Sequence, residues 1–406
     1  MNTIIFIETT KSGSSREAIR AAERLGYFTV LLTGSLKFLD QRKEFTEVHQ
    51  MIYMNQLTLE NIRAEIKMLE QQGRIIKAVI SFIDPFASIA AQLSNERCSA
   101  DISVQAIKIM ENKTLTREEL RNNPTTPRFR IYNPSDSLQQ FLNDNKNEFP
   151  FIIKSPISKA SRDVYLVNNE LELEKGMKKI LKLYPTQKIL VEDYLIGPQY
   201  LVEVLVHKGE INIIAIIQQD ITKKERFIVT GYEVKARGDE ELYQTLVEVV
   251  TFILKDLQVT NAACHLEMRY VDGHWKLIEI NPRISGGAMN RMIEEAFGIN
   301  LVEETIKLFL GLEPNVQRKY ENNIYTHYIT IGSYGNLLKV TGKNKAATQP
   351  GVLEVYIKPR KGSTMTPPIS MGHRYGYIIA TGNSPEEAKL NAMKAAQNIK
   401  FYLEAN

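Results

Sequence analysis

Glu279, Asn281 and Arg283 fall at every second position of LIEINPRISGGAMN, residues 277–290, and another acid, Glu267, stands twelve residues before the first of them. Alternate residues of a strand share a face. An acid, an amide and a base are thus lined up on one side of a segment otherwise built of Leu, Ile and Pro. Glu267 joins them only if the chain doubles back in the right register. With a three-residue loop, Asp272-Gly273-His274, Val271 faces Trp275 and Glu267 lies opposite Glu279. With a two-residue loop, Asp272-Gly273, the two acids point to opposite faces. The hydrophobic pattern leaves both registers open; the chemistry favours the longer loop.

Directly opposed residues have Cβ atoms roughly 4.5–5.5 Å apart. Two half-buried carboxylates at that distance repel and raise each other's pKa. A divalent cation removes the conflict, and Mg²⁺ commonly takes one or two carboxylates together with substrate phosphates. Asn281 offers a third oxygen on the same face, and Arg283 can hold an anion beyond the metal. Gly286 and Gly287 follow, at the start of a helical stripe formed by Met289, Met292, Ile293 and Ala296. Unhindered N–H groups at a helix start attract carboxylate or phosphate. Taken singly, these features have plainer readings: Glu267 as a solvated hairpin charge, the glycines as a tight turn.

The elements that must position these residues are legible in outline. TIIFIET, a helical REAIRAAERLG and YFTVLLTG form a βαβ unit. Residues 59–94 repeat helix, strand, turn and helix, so residues 1–95 resemble a small doubly wound domain with a parallel sheet. SVQAIKIMENKTLTREELRNN reads as a polar helical stretch, and the proline-punctuated NPTTPRFRIYNPSD as a boundary. Strands FPFIIK, DVYLVNN and KILVEDYL follow, with one helix among them. QYLVEVLVHKGEINIIAIIQQDIT is a hairpin turning at Lys208-Gly209. The C-terminal part carries more strands and closes on a helix with Ser384 as N-cap and Pro385 at its first position.

The chain has 406 residues, 43% hydrophobic and 24% charged, with a formal net charge of +4. Acids and bases are interspersed, so no nucleic-acid surface is expected. Cys98 and Cys264 lie far apart without metal-ligand spacing, which fits a reducing compartment. No apolar run approaches the roughly 20 residues of a membrane span. A cytoplasmic protein is expected.

A hairpin with Glu, then Glu-x-Asn-x-Arg twelve residues on, resembles the metal site of the ATP-grasp superfamily. Lys113 in ENKTLTREEL and Lys154 at the end of FPFIIK match that family's two nucleotide-binding lysines, and VEDYLIGPQYLVEV resembles its adenine hinge. NPRISGG and YGYIIATGNSPEEA resemble the carboxylase-like branch that includes bacterial L-amino-acid ligases. The resemblance implies mixed α/β and α+β architecture. It divides the chain into a first α/β domain (1–95), a helical linker (96–125), a lid (126–192), an ATP-grasp core (193–315) and a C-terminal antiparallel-sheet subdomain (316–406).

It implies ATP as co-substrate and two Mg²⁺ ions, replaceable by Mn²⁺, on Glu267, Glu279 and Asn281. Lys113 and Lys154 would neutralise phosphate. Glu192 or Asp193 would meet the adenine, Tyr194 and Leu195 would offer it backbone groups, and Glu203 would lie near the ribose or serve as a cross-strand partner. Arg283, with Gly286 and Gly287, would face the carboxylate, the acyl phosphate and the tetrahedral oxyanion. The reaction implied is the joining of two L-amino acids into a dipeptide, with ADP and phosphate released. His265 is a candidate contact for the second substrate, although a satisfied strand histidine is the plainer reading. Asp84 is a candidate partner for a basic first amino acid such as arginine, although an aspartate opening a turn before Pro85 is plainer. Members of the branch are often dimers. The lid loop departs from the family: SPISKASRD lacks glycine, leaving Ser155, Ser158, Ser161, Lys159 and Arg162 as phosphate candidates. The rivals are a purine- or biotin-type ATP-grasp enzyme, though no biotin-acceptor segment is seen, and a nucleotide-binding regulator without catalysis.

Overall fold

The computed structural model of the chain describes residues 1–98, 100–145, 148–155, 163–223, 227–235 and 240–404. The first strands, β1 (Asn2–Ile7), β2 (Phe28–Thr33), β3 (Gln50–Tyr53) and β4 (Ile75–Ile80), form a parallel sheet in the order β3-β2-β1-β4. Their apolar runs are buried on both faces, as a sheet covered by crossover helices requires. Ile5, Val30 and Val79 pack on Ile62, Ile66 and Leu69 of helix Leu59–Gln71 and on Leu93 of helix Ala87–Arg97. β3 is not foreseen from the sequence, because its four residues are all half-buried and show no alternation. With β1 between β2 and β4, the crevice at their carboxyl ends is where open α/β sheets bind ligands. Asp84 sits just beyond the end of β4.

The expected polar helical stretch is two helices, Val104–Met110 and Lys113–Glu119. Asn112 breaks it. Its side chain accepts from the N–H groups of Thr114 at 3.0 Å and Leu115 at 3.3 Å, which makes it an N-cap. Lys113 therefore opens the second helix.

β5 (Phe129–Tyr132), β6 (Phe151–Lys154), β7 (Val164–Val167) and β8 (Ile189–Asp193) form a separate antiparallel sheet in the order β5-β8-β6-β7. Helix Glu170–Leu183 covers it. Gly176 allows the close approach: a Cβ there would come within 2.4 Å of Ile153 Cδ1. Of the glycine-free loop, Ser155 bonds Gln187 at 3.1 Å. The other phosphate candidates, Ser158, Lys159, Ser161 and Arg162, lie outside the described residues.

The remaining strands are β9 (Gln199–His207), β10 (Glu210–Lys223), β11 (Phe227–Val234), β12 (Ala262–Val271), β13 (His274–Asn281), β14 (Asn323–Ile329), β15 (Gly335–Thr341), β16 (Val352–Ile357), β17 (Thr364–Met365), β18 (Gly376–Gly382) and β19 (Lys400–Glu404). The hairpin expected at Lys208-Gly209 joins β9 to β10 through two residues of positive φ, 50° and 80°. β13-β12-β9-β10-β11-β14-β18-β16 is one eight-stranded sheet, and β17-β15-β19 a small second one. The boundary expected at 315 therefore does not separate two sheets: β14 adds directly to β11. Ala388, Ala392 and Ala395 of the closing helix, Pro385–Ala396, share a core with Ile378 and Ala380 of β18. Ser384 caps that helix by accepting from the Glu387 N–H at 3.2 Å.

The β11–β14 seam depends on Gly231, where a Cβ would lie 1.9 Å from the hydroxyl of buried Tyr325. Gly231→Ala is expected to destabilise the chain by about 1–3 kcal/mol, the usual cost of overpacking. In urea denaturation, adding Tyr325→Phe should recover part of that loss, because the substitution removes the clashing oxygen.

Candidate active site

The β12–β13 hairpin turns through two residues, Asp272 and Gly273, with φ 47° and 81°, and Val271 pairs with His274. The three-residue loop expected from the sequence is thus wrong: Asp-Gly with both φ positive is the standard two-residue hairpin turn. Glu267 nevertheless lies opposite Glu279. A β-bulge at Ile278 inserts the extra residue and moves the acids to the same face. The bulge is held from outside the sheet. Arg117 Nη2 donates at 2.8 Å to the carbonyls of both Leu277 and Ile278, and Lys154 Nζ reaches the Ile278 carbonyl at 3.4 Å.

Burial, with Glu279 alongside, pushes the Glu267 carboxyl up to about 7. Burial pushes on Glu279 too, but Lys113 and Lys154 outweigh it and hold that carboxyl below its usual value; Lys113 Nζ is 3.2 Å from Glu279. One acid of the pair thus carries the charge while its neighbour tends to keep a proton. Among the described residues, no three His, Cys, Asp or Glu side chains cluster. Two carboxylates and the Asn281 amide form an all-oxygen donor set that suits a hard cation still carrying water or phosphate ligands.

Lys154, Glu192 and Arg117 form a buried ionic triad beneath the hairpin, all 5% exposed or less. Burial pushes on Glu192, but the two cations hold its carboxyl below the usual range. Both Glu192 oxygens are engaged, one by Arg117 and one by Lys154. Glu192 borders the cavity, where its side chain fixes Lys154 and the bulge-supporting arginine. Asp193 bonds Arg128 at 3.1 Å. The Tyr194 N–H is used by the Pro150 carbonyl at 3.2 Å, and the Leu195 carbonyl by Arg269 at 2.6 Å.

Glu203 is corrected. It is fully buried in β9, paired with His265 and Ala215, and accepts from the Ser285 N–H at 3.1 Å. Burial raises its carboxyl to about 7 against that hydrogen bond. It anchors the turn leading to Gly286 and does not line the cavity. The cross-strand role is the one observed. Neighbouring His265 bonds the Arg283 carbonyl at 2.7 Å, and burial, helped by Arg283, lowers its pKa to about 4. It is therefore neutral and donates from Nδ1. Arg283 itself is held by Asp84, at 2.9 Å from Nε and 2.6 Å from Nη2.

The turn after Arg283 is braced from the first domain. The Ser14 hydroxyl donates to the Ser285 carbonyl at 2.5 Å, and a Cβ on Gly13 would come within 2.8 Å of the Gly287 nitrogen. The helix begins only at Met289, so Gly286 and Gly287 precede it. Their N–H groups meet no acceptor among the described residues.

One cavity of about 750 Å³ collects Asp84, Lys113, Lys154, Glu267, Glu279, Asn281, Arg283, Gly286 and Gly287, with Tyr194 and Leu195 at its hinge end. It also exposes residues that the sequence reasoning passed over. Arg117 lies four residues after Lys113 on the same helix face, a spacing that could have revealed it. Gln199 joins Gln219, Glu267 and Arg269 in one hydrogen-bonded chain. Arg374 enters from the C-terminal strands, with no motif to announce it.

Residues 147–291 match the ATP-grasp domain, and residues 327–404 match the L-amino acid ligase C-terminal domain 2. The chain thus carries an ATP-grasp domain followed by a domain of the L-amino acid ligase type. It is 22% identical over 398 residues to dapdiamide A synthase of Enterobacter agglomerans, covering 94% of this chain and 92% of that one. The crystal structure of an L-amino acid ligase from Bacillus licheniformis superposes with a TM-score of 0.83 at 19% identity, covering 100% of this chain and 99% of the other. A phosphoribosylglycinamide synthetase from Anaerococcus prevotii follows at 0.75 and 16%, with full coverage of both chains. At such identities the structural likeness carries the ATP-grasp fold. No helix among the described residues is long and apolar enough to cross a membrane.

The raised Glu267 carboxyl has a consequence for stability. Between its ordinary value of 4.5 and about 7, the folded chain keeps a proton that the unfolded chain has released. The contribution is present below this window and lost as pH rises through it. Without divalent metal, Glu267→Gln should therefore gain stability relative to the unsubstituted chain between about pH 5 and pH 8, by roughly 2–3 kcal/mol at most. Thermal melts at the two pH values, with and without Mg²⁺, check this; Mg²⁺ should selectively stabilise the chain that retains Glu267.

Proposed function

We propose that the chain is an ATP-dependent carboxylate–amine ligase that joins two L-amino acids through an aminoacyl phosphate, releasing ADP and phosphate. The observation that carries this reading is one cavity with opposed acids at one end and an arginine beside two glycines at the other. Pure nucleotide binding needs no such second end.

A carboxylate is a poor electrophile. In this reading, an oxygen of the first amino acid's carboxylate attacks the γ-phosphorus of ATP, and the bond to the ADP oxygen breaks. Mg²⁺ held by Glu267, Glu279 and Asn281, as two ions or with Mn²⁺ in their place, would neutralise charge on the transferring group. Lys113, paired with Glu279, would be within reach of the phosphates and would add positive charge there. Lys154, held by Glu192, adds a fixed positive charge at the cavity wall. The amine of the second amino acid then attacks the acyl carbon. Arg283 and the N–H groups of Gly286 and Gly287 receive the tetrahedral oxyanion. Phosphate leaves with the original carboxylate oxygen as the amine gives up its proton.

Glu203 and neutral His265 support this step by pinning the backbone at Ser285 and Arg283. Asp84 favours a basic first amino acid such as arginine. Once Arg283 takes the substrate carboxylate, the aspartate at the end of β4 faces the cationic side chain.

A screen of all pairs of the twenty amino acids for ADP formation, with mass spectrometry of the products, tests the reading. ADP that requires amino acids, together with a dipeptide product, is expected; bicarbonate- or ribonucleotide-dependent ADP would instead favour the purine or biotin chemistries. Glu279→Ala should lower turnover more than about 100-fold, beyond the scale of losing an outer partner of a metal ligand, with an unchanged circular dichroism spectrum. Persistent activity in that variant would contradict the metal assignment.

A further inference from the structure

Ligation of two amino acids brings two carboxylates into one cavity, and the reading above assigns Arg283 to only one of them. Of the other three arginines bordering the cavity, Arg117 is paired with Glu192 and Arg269 is held by the Leu195 carbonyl and Gln199, which leaves Arg374. Its guanidinium lies 3.8 Å from the ring centre of Tyr328 and 5.8 Å from that of Tyr232. Its hydrogen bonds are long and engage Nη1 alone, 3.3 Å to the Val229 carbonyl and 3.4 Å to the Tyr232 hydroxyl. Nε is shut off from water with no acceptor. Among the described residues, no carboxylate lies within ion-pair distance of it. Stacked aromatic rings hold a cation in place without neutralising it, and a buried donor without an acceptor is costly. A side chain built this way awaits an anion.

Its position selects the anion. From β12, which carries Glu267, the sheet runs through β9 and β10 to β11, where Val229 and Tyr232 hold Arg374. Three strand spacings amount to about 14 Å between the backbones, although the Tyr232 hydroxyl still feels the Glu267 charge across the cavity. A single tyrosine separates Arg374 from the oxyanion turn. The Tyr328 hydroxyl accepts from the Ala288 N–H at 3.3 Å, and a Cβ on Gly287 would stand 3.0 Å from that hydroxyl. An α-amino acid whose amine reaches the acyl carbon at Gly286–Gly287 has its own carboxylate carbon two bonds beyond that nitrogen, toward Arg374. We infer that Arg374, from the C-terminal strands, anchors the carboxylate of the second, amine-donating amino acid. This rests on the ligase reading and extends it: the acceptor must carry a free carboxylate.

The test separates activation from acceptance. Hydroxylamine in place of the acceptor traps the activated first amino acid as a hydroxamate and needs no acceptor carboxylate. L-alanine and L-alaninamide are then compared as acceptors in the unsubstituted chain, in Arg374→Met and in Arg374→Lys. The inference expects the unsubstituted chain to prefer alanine. In Arg374→Met, kcat/KM for alanine should fall roughly 30- to 100-fold, the scale of a lost charge-assisted bond, with hydroxamate formation, alaninamide turnover and the Kd for MgADP unchanged. Arg374→Lys should retain part of the preference, and it carries the same comparison should Arg374→Met not fold. Equal loss for alanine and alaninamide, or an unaltered ratio between them, overturns the inference. Absence of hydroxamate from the unsubstituted chain with every amino acid overturns the ligase reading itself.

Discussion

Glu267 and Glu279 face each other across neighbouring strands with too little water between them to carry two full charges, and their surroundings answer that repulsion. Lys113 lies on one acid and Gln199 on the other. Lys154 and Arg117 stand just beneath, held by Glu192 and by the carbonyls of the bulge. A buried ion pair contributes little net stability by itself, but losing one member strands a charge. The triad therefore acts as a unit: it fixes the bulge, the bulge fixes the register, and the register brings the acids together. The arrangement is adjusted for a cation that the acids would share.

The cavity draws on three of the four sheets. The end with the paired acids belongs to β12 and β13, the hinge to β8 and the segment after it, Asp84 to the carboxyl end of β4, and Arg374 to the loop before β18. Contacts between the first domain and the turn at Ser285–Gly287 are backbone-close, through Gly13 and Ser14. Moving that domain would move the turn, so the end of the parallel sheet and the Ser285–Gly287 turn are mechanically joined.

Much of this was legible before any coordinates. Periodicity marked the βαβ unit, the Lys208-Gly209 hairpin and the capped C-terminal helix, because local propensity and burial agree there. The pairing of Glu267 with Glu279 was anticipated from chemistry, although by the wrong device. Asp272-Gly273 signalled its own two-residue turn, while the bulge that restores the pairing depends on Arg117, about 160 residues away. No local pattern encodes such a contact. The partners of Glu192 and Glu203 were hidden for a related reason: strand alternation states which face a carboxylate occupies, not whether a lysine, an arginine or a backbone N–H will already be there. Arg374 carries no motif at all; only the extension of the central sheet by β14 and β18 brings it beside Gly287.

The central claim is that ATP energises a carboxylate by phosphorylating it, and the fate of an oxygen atom tests this most directly. With the first amino acid labelled with ¹⁸O in its carboxylate and supplied with ATP, Mg²⁺ and an acceptor, the released phosphate is examined by ³¹P NMR. The account predicts one labelled oxygen in each inorganic phosphate formed, at the rate of dipeptide synthesis. Unlabelled phosphate, or label appearing in AMP, would contradict it.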